Sequence, residues 1–133
     1  MNARHRGAAI AGTAAMVFAG TGVVAGSANA AIYECRISGD RAKCTTVTGI
    51  DPGSWLQVRT GPGYGYANTW GFPKLYNGSE VSVLCWTTGD GAADNPNWKY
   101  WIRVDNGINS GYVNDWYLET GSPAQFQAVL NPC

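Results

Sequence analysis

Apolar and polar residues alternate along Leu56-Gln57-Val58-Arg59 and then stop at Gly61-Pro62-Gly63, the pattern of a half-buried strand ended by a turn. Asp51-Pro52-Gly53 precedes it, so a strand is predicted over Trp55 to Arg59. Asn77-Gly78 leads into Glu80-Val81-Ser82-Val83-Leu84-Cys85-Trp86, a β-rich run with apolar residues on both faces. Asn106-Gly107 lies between Tyr100 to Val104 and Tyr112-Val113, which reads as a hairpin, and Trp116-Tyr117-Leu118 follows as a short turn or last strand. No convincing helical period, internal repeat or second domain is seen. Short strands at close spacing predict an all-β barrel or sandwich.

The first thirty residues follow a different pattern. Arg4 and Arg6 form a positive start, Ala8 to Val24 an apolar stretch broken by Gly and Thr, and Ala28-Asn29-Ala30 a small-x-small cleavage site. This predicts a secretory signal over residues 1–30. The apolar stretch is too short and too glycine-broken for a stable anchor, so no membrane insertion is expected after cleavage. Residues 31–133 suit one domain with a modest core. Arg4 and Arg6 fall in the signal, so seven Lys and Arg face nine Asp and Glu in the rest, and nothing marks a nucleic-acid partner.

The single histidine, His5, also lies in the signal segment. The exported part therefore lacks the imidazole needed for Ser-His-Asp or Cys-His activation, or for a His-ligated metal. A hydrolase would need an Asp/Glu pair, and none stands out. No catalytic residue, metal site or cofactor is expected. Asp90, Asp94, Asn95 and Asn97 offer oxygens, but not at the spacing of a calcium loop, and read as a solvated insertion.

Four cysteines in an exported chain imply disulfides, with three possible connectivities. Cys35 and Cys44 flank the turn signal Ser38-Gly39-Asp40, and a hairpin there brings their thiols together, which favours Cys35 with Cys44 and Cys85 with Cys133. The second bridge would pin the C-terminal tail to a central strand.

The chain resembles the bacterial SH3 (SH3b) family. Leu56, Val58, Arg59, Gly61 and Pro62 match its Leu-x-Val-Arg-x-Gly-Pro strand and turn, and Leu75, Gly78, Val81 and Val83 its next segment. Trp101, Arg103 and Val104, then Gly111, Tyr112, Val113, Tyr117 and Leu118, match the last two. Tyr112 stands where the family has Trp, and Tyr64 to Lys74 and Asp90 to Asn97 are longer than usual. The resemblance covers about Ser54 to Leu118. It implies a small SH3-like barrel over 54–118, an N-terminal hairpin extension over 31–53 and a tail over 119–133. It also implies a non-catalytic module that binds cell-wall peptidoglycan through its peptide stem or bridge. The alternative is a secreted protein-binding factor, such as an inhibitor or competitor-directed protein, whose partner is an extracellular peptide or protein.

All six Trp and all seven Tyr lie after residue 30, more rings than a core of this size requires. The loop Gly63 to Trp70 offers Tyr64, Tyr66 and Trp70 as amphipathic faces and Asn68 as a neutral donor and acceptor. These four, with Trp98 and Trp116 beside polar loops, form the candidate ligand-binding set. Trp55, Trp101 and Tyr112 sit in strand patterns, and about two of the three are expected mainly in the core. Arg59 is expected to prop neighbouring turns through their carbonyls.

Overall fold

The computed structural model describes residues 31–133; the signal-peptide expectation for residues 1–30 lies outside the described residues. Five antiparallel strands form one sheet in chain order: β1 Tyr33–Ile37, β2 Asp40–Thr46, β3 Glu80–Thr88, β4 Tyr100–Asp105 and β5 Ser110–Asn114. A 3-10 turn, Asp115–Tyr117, and a short helix, α1 Pro123–Val129, follow.

Each hairpin has a local cause. Ile37 pairs with Asp40, and the two residues between them, Ser38 and Gly39, have φ of 52° and 88°. That backbone is the type I′ turn whose twist suits adjoining strands, and it needs residues that tolerate positive φ. In the β4–β5 connection, the Asn106 side chain accepts from the amides of Ile108 and Asn109, with Gly107 at φ 94° between them. The disulfides join Cys35 to Cys44 within the first hairpin and Cys85 on β3 to Cys133 at the chain end.

The expected strand over Trp55 to Arg59 does not form. Leu56 bridges Leu75 while Arg59 bridges both Asn68 and Tyr112, so the segment changes partner within three residues and no ladder builds. The apolar alternation is still used: Leu56 and Val58 are buried and Gln57 is not. Arg59 and Tyr112 exchange both backbone hydrogen bonds (3.0 and 2.7 Å), carrying the sheet past β5. Val47, just after β2, bridges Leu118. Asn77 serves this long return segment as well, its amide accepting from the Ile50 N–H and donating to the Ile50 carbonyl (2.9 and 3.0 Å).

Val58, Ile102, Val104, Val113 and Leu118 are fully enclosed at the core centre. Each such side chain contributes about 1.5–3 kcal/mol by leaving water. The tail adds α1, which the absence of a helical period did not foretell. Ser122 and Gln125 form a reciprocal capping box with Pro123 in the first turn, and the helix exists to bury Phe126. Phe126 meets Trp86 and Tyr100 edge-on, at 6.4 and 5.4 Å between ring centres. Trp86 and the tail exchange backbone hydrogen bonds through Asn131 and Cys133, beside the Cys85–Cys133 disulfide.

Candidate functional site

Residues 60–70 turn out from the sheet because Gly61-Pro62-Gly63 lets other groups come close. The Tyr66 ring lies where a Cβ on Gly61 would stand, and Asp90 Oδ2 lies 2.7 Å from where one on Gly63 would be. One face of Tyr66 is thus laid against backbone, and the residue remains 50 % exposed. Arg59 holds the loop from beneath, its Nη1 donating to the carbonyls of Tyr64 and Tyr66 (3.3 and 3.1 Å) while its guanidinium sits 5.3 Å from the Tyr64 ring centre. That is the propping role expected of it.

Tyr64 meets Trp101 edge-on at 5.5 Å. Its N–H donates to Asp90 Oδ2 (2.9 Å), and its hydroxyl accepts from the Ala93 N–H (3.1 Å). Tyr117 completes the brace, donating to Asp94 Oδ2 (2.8 Å) and accepting from the Asp94 N–H (3.2 Å). The insertion read as a solvated loop therefore ties two phenols to its backbone. Burial pushes the pKa of the Tyr64 phenol up, an effect partly offset by the Ala93 N–H and by Arg59. Burial, reinforced by the bond to the Asp94 carboxylate, holds Tyr117 protonated well beyond the usual tyrosine range. Trp101 Nε1 donates to the Asp90 carbonyl (2.7 Å) from a buried position, so the insertion is fixed at both its ends of contact.

The six candidate residues do not share one groove. Tyr64, Tyr66, Asn68 and Trp70 are exposed on the loop, with Trp70 at 88 % the most open ring. Asn68 is there because its backbone bridges Arg59. Trp98 is half-buried in a separate aromatic cluster, packed on Tyr100 at 6.0 Å and Trp116 at 5.4 Å, with Nε1 donating to Asp115 Oδ2. Trp116 is a correction: at 3 % exposure it shows no face to a ligand, because the 3-10 turn that follows β5 drives it inward between Asp115 and Tyr117, both buried. Of the three rings in strand patterns Trp55 is the one outside the core: with Leu56 and Leu75 turned inward it is left 46 % exposed under the Lys74 ammonium, 3.8 Å from its ring. Trp101 is buried and Tyr112 half-buried.

Asp90, Asp94 and Tyr117 were missing from the candidate set. No periodicity links Asp90 to Gly63 across twenty-seven positions; the only trace in sequence is a second glycine where the turn already had one. Among the described residues no group of three or more His, Cys, Asp or Glu is placed to hold a metal ion, and no helix is long and apolar enough to cross a membrane. The two disulfides are compatible with an extracellular protein. No family model, curated protein or solved structure matches the chain.

Proposed function

We propose that the chain is an exported, non-catalytic binding module of the bacterial SH3 type, holding cell-wall peptidoglycan by its peptide stem or bridge. The observation that carries this reading is the braced loop: Tyr66 and Trp70 stand open to solvent on a backbone tied down by Arg59 and Asp90. Rings presented on a fixed backbone lose little freedom on binding, which is what a recognition surface needs. The Arg59–Tyr112 bridge supports the SH3-like reading, because it brings the Leu56 to Pro62 motif against the Gly111-Tyr112-Val113 motif.

The test is co-sedimentation with insoluble wall sacculi at moderate salt. The protein is expected in the pellet, and Tyr66→Ala with Trp70→Ala is expected to return it to the supernatant. Wild-type protein that stays in the supernatant would overturn the reading. One further observation favours a protein partner instead: Gly71 packs against Asn109, which brings Trp70 and the 85 %-exposed Ile108 to the same end of the molecule. Co-purification with a single secreted protein, without wall sedimentation, would select that alternative.

A further inference from the structure

The β4–β5 turn carries the parts of a reaction. Asn-Gly occurs twice in the chain, at Asn77-Gly78 and at Asn106-Gly107. In such a pair the glycine nitrogen is held close to the asparagine Cγ by the chain itself, and no side chain crowds its approach, so attack within the chain is open. The fold treats the two pairs differently.

At Asn106 the groups that assist the attack are in place. The Gly107 N–H donates to Asp105 Oδ2 (3.1 Å), which sets a carboxylate base on the attacking nitrogen. Asn106 Oδ1 accepts from the N–H groups of both Ile108 and Asn109 (3.0 and 2.9 Å), two donors aimed at the oxygen on which charge develops when Cγ is attacked. Gly107 is exposed, so water reaches the turn. Asn77 is held otherwise. Ile50 pins its amide at both ends, and the Gly78 N–H donates to the Val47 carbonyl (2.8 Å), a neutral acceptor that cannot take its proton. Asn77 is also the more exposed of the two asparagines, so solvent access alone would predict the reverse order of reactivity.

We infer that Asn106 is a self-modification site, at which the turn converts the side-chain amide to a carboxylate through a cyclic imide. The Gly107 nitrogen bonds to Asn106 Cγ and passes its proton to Asp105. The Cγ–Nδ2 bond then breaks, and ammonia leaves with that proton as the imide ring closes. One water adds to either imide carbonyl and opens the ring, giving aspartate or, where the chain now runs through the side chain, isoaspartate. The product adds a carboxylate, and in the iso form one backbone carbon, to the turn whose Asn109 packs against Gly71 beside Trp70.

The test is peptide mapping by mass spectrometry of the disulfide-intact full chain incubated at neutral pH, with electron-transfer fragmentation to tell aspartate from isoaspartate. In the folded chain Asn106 is expected to convert at least about tenfold faster than Asn77, a barrier difference of about 1.4 kcal/mol. In the reduced, urea-unfolded chain the two pairs should convert within about twofold of each other, which isolates what the fold adds. Asp105→Asn keeps an acceptor for the Gly107 N–H but no base, and should slow Asn106 about tenfold or more while leaving Asn77 unchanged. The wild-type comparison needs no variant, so it decides the matter even if Asp105→Asn does not fold. No conversion at Asn106, conversion at Asn77 as fast or faster in the folded chain, or an unaltered Asn106 rate in folded Asp105→Asn would overturn the inference. None of these rates involves a wall ligand, so failure of this site and failure of wall binding are distinguishable.

Discussion

The Trp98 indole donates from Nε1 to Asp115 Oδ2 at 2.9 Å, joining the polar insertion to the 3-10 turn that follows β5. Asp115 is fully enclosed, and its other oxygen accepts from the Thr120 hydroxyl. A buried carboxylate stripped of one donor bears the cost of its desolvation, so Trp98→Phe, which keeps most of the ring packing, should destabilise by about 1–3 kcal/mol. Asp115→Asn should cost a similar amount, because the amide keeps one acceptor oxygen where the carboxylate offers one to each of its two donors. Urea unfolding of the two single variants and the double variant measures the coupling between them. Additive losses would mean that the indole–carboxylate bond contributes nothing of its own.

The two disulfides differ in what they restrain. Cys35–Cys44 closes a separation of 9 residues within a hairpin that its turn already specifies, whereas Cys85–Cys133 closes one of 48 and fixes a tail otherwise held by Phe126 and the bonds to Trp86. On the chain-entropy account, the short bridge contributes about 2.5 kcal/mol and the long one about 4, both as upper values. Replacing Cys85 and Cys133 by Ser should therefore lower the unfolding midpoint more than replacing Cys35 and Cys44, and should raise amide exchange in 123–133. Equal midpoints for the two double variants would contradict the ordering.

What could be read from the chain follows from how local each cause is. Ser38-Gly39 and Asn106-Gly107 set their turns by their own backbone preferences, and the β-rich run Glu80 to Trp86 falls inside β3, so the hairpins were legible. The Leu56-Gln57-Val58-Arg59 alternation correctly orders buried and exposed side chains but cannot say that each residue finds a different partner. Helix α1 is too short for a period to appear, although its Ser-Pro-x-Gln start was a readable cap. Trp116 was inverted, and Trp55 could not be singled out as the strand-pattern ring left outside, for one reason: the burial of a ring at the end of an element is decided by neighbours remote in sequence, Trp98 for the first and Lys74 for the second. The brace from Asp90 and Asp94 to Tyr64 and Tyr117 joins two loops and has no local signature at all.

Alkaline pH should loosen the molecule through its phenols. Burial and the bond to Glu80 Oε2 (2.6 Å) push Tyr33 up to about 12, and Tyr117 is raised further by burial and Asp94. Both are raised in the folded state, so their contribution is complete below the ordinary tyrosine value near 10 and is lost as pH climbs from there towards the folded values. The thermal midpoint of the wild type should therefore fall more steeply above about pH 10 than that of Tyr33→Phe with Tyr117→Phe. Spectrophotometric titration should in parallel show the most alkaline phenolate transition disappear in Tyr117→Phe. Identical slopes and identical titrations would remove the two residues from the account.

Gly61 links the turn motif to the exposed rings. Atoms Cδ1 and Cε1 of Tyr66 lie 2.5 Å from where a Cβ on Gly61 would be, closer than two carbons can approach, so Gly61→Ala must move the ring or the backbone beneath it. The ring is the half-exposed partner and the backbone is pinned, since the Thr60 N–H donates to Ala67 O (2.8 Å) and Arg59 bonds the Tyr66 carbonyl. The strain should therefore be relieved by swinging Tyr66 away, at a stability cost of about 1–3 kcal/mol if the core is untouched. Under the proposed wall-binding function, Gly61→Ala should weaken sacculus co-sedimentation nearly as much as Tyr66→Ala, although it removes no ring. Tyr66→Ala in the Gly61→Ala background should then add little, because the contact is already lost. Full wall binding by a folded Gly61→Ala variant would show that the seating of Tyr66 on the turn is structural only, and would leave Trp70 to carry recognition alone.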